Sequence, residues 1–143
     1  MKPLLLVADP DVRGRLWTVD ALRSGYSIET LSPGEAPLRA ARRVRPRVML
    51  LGVPRGRSVE VIRTCKMVKT DSVSAPLVGL LDPWCRLAKP TQLLPRSLAD
   101  GYLGGPVSAD SLQEFVQELL RGEHPIREGS PCSGFFKKLL RRR

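Results

Sequence analysis

Five short apolar runs, each followed by a stretch with helical spacing, constrain this chain more than any single residue does. The first is Leu4–Ala8, bounded by Pro3 and by Asp9-Pro10-Asp11. A continuous apolar run of this length reads as a strand buried on both faces. Asp9 is predicted as the N-cap of the following helix, where its carboxylate can accept orphan N–H groups, with Pro10 at the first helical position. Val12, Leu16, Val19 and Leu22 then mark one stripe of an amphipathic helix, and Gly25 stops it.

The unit repeats. Tyr26–Leu31 gives a second strand, and Ser32 with Glu35 forms a capping-box pattern ahead of a helix carrying Leu38, Ala41 and Val44. Pro37 suits that helix only in its first turn, where its missing N–H has no partner to lose. Pro46 ends it, and Val48–Val53 (VMLLGV) is the third and most apolar strand, as a central parallel strand requires. Ser58 opens a third helix with Val59, Ile62 and Cys65 inward, and Leu77–Leu81 is the fourth strand. Between Asp82 and Ala99, Pro83, Pro90 and Pro95 break any apolar stripe, so the fourth helix is expected to be irregular. Tyr102–Gly104 is a short fifth strand, and Ser108 caps a last helix with Leu112, Phe115, Val116, Leu119 and Leu120 inward. Strands alternating with helices give a parallel sheet covered on both faces. The predicted fold class is therefore α/β, a doubly wound three-layer sandwich whose five-stranded parallel sheet has the flavodoxin-like order 2-1-3-4-5.

The totals agree with one soluble domain. The 143 residues suffice for a single core, and 42% apolar content fits a globular chain. Leu4–Ala8 is far too short to span a bilayer, and no leader segment is expected. Cys65, Cys85 and Cys132 lie far apart without a CxxC pair, which points to free thiols and a cytoplasmic location. The net charge of +10 raises a nucleic-acid reading, but residues 121–143 hold seven Lys/Arg against two Asp/Glu, leaving the body only mildly basic.

The order βαβαβαβαβα over residues 2–121 resembles the receiver domain of bacterial response regulators, the CheY-like family. Leu31–Val53 (LSPGEAPLRAARRVRPRVMLLGV) looks like that family's run from the second strand through the third. Ala75–Leu81 (APLVGLL) resembles its fourth strand, and Ala99–Leu112 (ADGYLGGPVSADSL) its fifth strand and capped last helix. In the family an aspartate ending the third strand takes up a phosphoryl group. Acidic residues after the first strand help hold Mg²⁺, and a Thr or Ser ending the fourth strand and a Lys ending the fifth bind the phosphoryl oxygens.

The matching positions here are Gly52, Ala8-Asp9, Leu81 and Gly105. The resemblance thus implies a degenerate pseudo-receiver with no phosphoacceptor, metal or cofactor. Pro106 is kept, and so is Tyr102 at the family's aromatic switch position. The Gly105-Pro106 bond is expected to be cis, as the family's lysine-proline bond usually is. Tyr102 either rotates as a switch or sits as a satisfied, half-buried tyrosine. Asp9, Asp11 and Asp82 either gather at the carboxyl edge of the sheet, where such folds bind ligands, or serve a helix N-terminus and a turn.

His124 stands alone in an apparent loop and reads as a surface residue, with no triad to join. Gly101–Gly105 ends a strand without opening a GxGxxG turn. No nucleophile–base pair is visible, so neither an enzyme nor a small-molecule substrate is expected.

Three segments follow: a pseudo-receiver domain at 1–121, a flexible linker at 122–134 and a basic, hydrophobic tail at 135–143. In the tail Phe135, Phe136, Leu139 and Leu140 share one helical face, while Lys137, Lys138 and the final arginines occupy the rest. Nine residues are too few for a stable isolated helix. The composition suits docking on a partner groove or an anionic membrane surface, and packing back on the domain or disorder is the alternative. The expected function is a phosphorylation-independent protein-interaction module in bacterial signalling or protein localisation. Its partners would meet the face built from the fourth helix, the fifth strand and the last helix, or the tail. The alternative is a nucleic-acid or anionic-surface binder using Arg42, Arg43, Arg45, Arg47 and the tail.

Overall fold

The computed structural model describes residues 2–54, 58–83, 99–105 and 108–128. They form β1 (Leu4–Ala8), α1 (Val12–Leu22), β2 (Ser27–Thr30), α2 (Pro37–Val44), β3 (Val48–Gly52), α3 (Ser58–Thr70), β4 (Leu77–Asp82), β5 (Gly101–Gly104), α4 (Ala109–Leu120) and β6 (Ile126–Glu128). All strands pair in parallel, in the order β2-β1-β3-β4-β5-β6. The doubly wound α/β class and the order 2-1-3-4-5 hold, with one strand added at the edge.

Strand alternation splits the core in two. Leu6, Met49, Leu51, Val78, Leu80 and Tyr102 face α2 and α3, packing with Ala40, Ala41, Val61, Cys65 and Val68. Leu5, Val7, Val48, Leu50, Leu81 and Leu103 face α1 and α4, packing with Leu22, Leu112, Phe115, Val116 and Leu119. The central strands are apolar at every position because both sheet faces are covered.

Four local expectations change. The N-cap of α1 is Asp11, whose carboxylate accepts the Arg13 N–H at 3.2 Å, so Asp9 and Pro10 lie outside the helix. The buried face of α1 is Thr18 and Leu22, while Val12 and Leu16 are 54% and 62% exposed. The stripe is therefore rotated toward the sheet by about one position. Second, Ser32 and Glu35 close a separate turn, with the Ser32 N–H donated to Glu35 Oε1 at 3.0 Å. The helix starts only at Pro37, after Ala36 as N-cap. Third, α3 buries Val61 and Val68 beside the expected Cys65, with the expected Ile62 partly buried against them.

Fourth, the segment read as a linker contributes β6. Tyr102 donates its N–H to the Pro125 carbonyl at 2.9 Å, and Tyr102, Leu103 and Gly104 pair with Ile126, Arg127 and Glu128. Arg127 binds Glu114 at 3.1 Å and also Glu118, tying the strand to the helix that leads into it. A parallel β5–α4–β6 unit covers what would otherwise be an open edge of β5. The irregular fourth helix, the Gly105-Pro106 bond and the tail lie outside the described residues.

Candidate functional site

In open α/β sheets the carboxyl ends of the strands form the ligand-binding edge. Here Ala8 lies opposite Leu51, Gly52 opposite Leu81, Leu81 opposite Leu103, and Asp82 opposite Gly104. The register therefore brings Gly52, Leu81 and Leu103 to one line, with Asp9, the residue after Ala8, level with Gly52, and with Asp82 and Gly104 one residue past the line.

At the centre of this line Asp9 folds across Gly52. A Cβ built on Gly52 would stand 2.4 Å from Asp9 Cγ and 2.5 Å from its Oδ1. On the other side, a Cβ on Gly14 would stand 2.7 Å from Asp9 Oδ2. Two glycines in different elements thus leave room for one carboxyl group, and that group fills the volume a Gly52 side chain would use. Asp9 is 8% exposed, and its Oδ1 accepts the Asp11 N–H at 2.9 Å. Burial holds its pKa above the ordinary carboxylate range; the Asp11 N–H lowers it, the Asp11 carboxylate raises it and Arg15 lowers it, each by less.

Beside this group, Tyr102 is buried and donates its hydroxyl to Asp82 Oδ2 at 2.8 Å. The tyrosine is satisfied but fully buried, not half-buried as expected. Asp82 is the last residue of β4 and has no solvent exposure, so it is a core acceptor and not merely a turn residue. Its carbonyl accepts the Gly105 N–H at 2.8 Å. Gly105 has φ +81°, a left-handed conformation in which any lysine would be strained. Leu81, where the resemblance puts a hydroxyl, belongs to the apolar cluster under α1 and α4.

A cavity of about 370 Å³ opens at this edge. Leu81, Leu103 and Leu112 form its apolar wall, and Asp9, Asp11, Asp82, Arg13 and Trp17 bring charge and an aromatic face. Trp17, Arg13 and Thr18 lay outside the expected site because they fall off the apolar stripe. No group of three or more His, Cys, Asp or Glu among the described residues is arranged to hold a metal ion.

The basic surface is partly spoken for. Arg42 reaches Asp71 at 2.7 Å and Arg43 reaches Glu35 at 2.8 Å. Arg43 lowers the Glu35 pKa to about 2, and Arg42 holds Asp71 well below the usual carboxylate range. Arg45 takes a left-handed conformation as the C-cap of α2. His124 is exposed and its Nδ1–H meets the Asp100 carbonyl at 3.1 Å. No described helix is long and apolar enough to cross a membrane. Phe135, Phe136, Lys137, Lys138, Leu139 and Leu140 fall outside the described residues, as does the expected fourth-helix part of the contact face.

No family model matches the sequence, and no curated protein matches it either. Solved structures do. A putative response regulator from Chloroflexus aurantiacus superposes with a TM-score of 0.71 at 20% identity, covering 85% of this chain and 99% of that one. The chemotaxis response regulator CheY4 of Vibrio cholerae gives 0.68 at 21% identity, over 83% of this chain and 99% of that one. The receiver domain of a Pseudomonas aeruginosa sensor histidine kinase, with magnesium coordinated in its active-site cleft, gives 0.69 at 16% identity over 84% and 98%. The chain has the receiver fold.

Proposed function

We propose that this chain is a non-catalytic interaction module on the receiver fold, recognising a protein partner in signal transduction or protein localisation without being phosphorylated. The observation that carries this reading is the packing of Asp9 into the space above Gly52. An acceptor carboxylate needs that space, and the one carboxyl present there is buried and bound to its own backbone. Leu81 and Gly105 stand where a hydroxyl and a lysine would read a phosphoryl group. Gly105 also has a backbone conformation that disfavours lysine.

What remains is a well-packed scaffold with surfaces. Recognition then falls to β4, β5, α4 and the tail, in the cytoplasm. The nucleic-acid alternative draws less support, since Arg42 and Arg43 are closed onto carboxylates.

The test is a titration with beryllofluoride and Mg²⁺, followed by amide resonances. No saturable shift is expected at Gly52, Val53, Leu81 or Gly105. A specific, saturable shift there would overturn the reading.

A further inference from the structure

The carboxyl-edge cavity is flanked by α1, a helix with exposed apolar residues. Val12, Leu16 and Trp17 of α1 are 54%, 62% and 45% exposed, and Trp17 also lines the cavity. Val12 and Leu16 are one turn apart, so they share a face. The cavity offers Leu81, Leu103 and Leu112 with Trp17, and Leu16 and Val12 are exposed on the adjoining side of α1. Three carboxyl groups line the cavity against one guanidinium, Arg13; Asp11 is exposed, whereas Asp9 and Asp82 are buried. A matching occupant carries large apolar side chains on one face and cations around them.

The same chain contains such a segment. Phe135, Phe136, Leu139 and Leu140 supply the apolar face, and Lys137, Lys138 and Arg141–Arg143 supply five cations with no acidic residue after Glu128. The path is short. β6 ends at Glu128 opposite Gly104, which pairs with Asp82, so the chain leaves the sheet at the cavity's own edge. Two strand spacings separate Glu128 from Asp82, about 10 Å. The seven-residue step from Glu128 to Phe135 can extend to roughly 23 Å.

We propose that Phe135–Arg143 docks on the cavity and the exposed face of α1 of its own domain. This rests on the reading of the tail as a docking element and places its receptor on the same chain. A short tether holds the tail at an effective concentration of order millimolar, so weak complementarity suffices to populate the contact. An external partner using either surface must then compete with the tail. A lipid surface would satisfy the tail but would leave the apolar cavity and the exposed Val12, Leu16 and Trp17 unexplained.

Paramagnetic relaxation in the full chain tests it. A nitroxide is attached at Arg143→Cys in a background with Cys85→Ser and Cys132→Ser. Cys65 is buried with its thiol pushed up to about 12, so it stays unlabelled near neutral pH. Strong broadening is expected at Val12, Leu16, Leu112 and the Trp17 indole, with β2 unaffected. Replacing Phe135, Phe136, Leu139 and Leu140 by Ser should lower those rates several-fold. Equal rates in both chains, or broadening elsewhere, would overturn the proposal. So would broadening at these residues when a spin-labelled chain is mixed with a separate isotope-labelled one, which would place the contact between two copies. Beryllofluoride binding is not read by this experiment, so its failure leaves the proposed function standing.

Discussion

Two buried aspartates sit at opposite edges of the sheet and are treated very differently. Asp100, at the amino edge, accepts from Lys69 Nζ at 2.8 Å and from the Val78 N–H at 2.7 Å. That ion pair bolts the last turn of α3 to the start of β4 and β5. Asp9, at the carboxyl edge, has the Asp11 N–H, and no cation among the described residues binds it directly. Asp100 is held as a structural anchor, while Asp9 fills space. A buried carboxylate with a cation and an N–H stabilises its surroundings, whereas one with a single N–H sits at a cost that burial imposes. The carboxyl edge thus carries the less compensated of the two carboxyl groups, and the cavity that Trp17 lines opens there.

The largest effect should come from the anchor. Asp100→Ala leaves Lys69 part-buried without its carboxylate and should cost about 3 kcal/mol, read by urea denaturation. Tyr102→Phe removes the hydroxyl donated to Asp82 and should cost about 1–2 kcal/mol by the same measurement. Gly105→Lys, which places lysine where the receiver family keeps one, should cost about 1–2 kcal/mol because of its left-handed backbone.

Asp9→Asn keeps an acceptor for the Asp11 N–H and removes the charge. With the Asp9 pKa raised on folding, the native state holds the proton longer than the unfolded chain does. Stability from this group therefore falls as pH rises from the unfolded value of 3.8 through the higher folded one. Asp9→Asn should abolish that decline and leave the protein at least as stable at pH 7, as thermal melts across pH would show.

The smallest effect lies at the surface. Glu35, held down to about 2 mainly by Arg43, contributes above pH 4.5 and loses its contribution as pH falls through about 2. Arg43→Met should move the Glu35 titration toward 4.5, followed by carboxyl chemical shifts.

Much of the fold was legible in the sequence because buried parallel strands are apolar throughout. Val48–Gly52 and the stripe of Leu112, Phe115, Val116 and Leu119 appear where the pattern puts them. The face of α1 was legible only in part: Val19 and Leu22 pack on the core as expected, but Val12 and Leu16 are equally apolar and exposed, and packing with the sheet chooses Thr18 instead. β6 escaped notice because Ile126, Arg127 and Glu128 carry no strand pattern, and pairing with β5 and Arg127's bonds to α4 hold them. At the candidate site, Gly52, Leu81 and Gly105 were readable as positions. The meeting of Asp9 with Gly52 was not, because it depends on the register of β1 against β3 and on Gly14 leaving space behind.

The account turns on that meeting, and a double-mutant cycle between Gly52→Ala and Asp9→Ala measures it most directly. In the parent chain Gly52→Ala should cost about 1–3 kcal/mol, because its methyl group must displace a buried carboxyl. In the Asp9→Ala background the same substitution should cost little or nothing, giving a coupling of at least about 1 kcal/mol. Equal costs in both backgrounds would mean that Asp9 does not fill the space above Gly52, and would contradict the account.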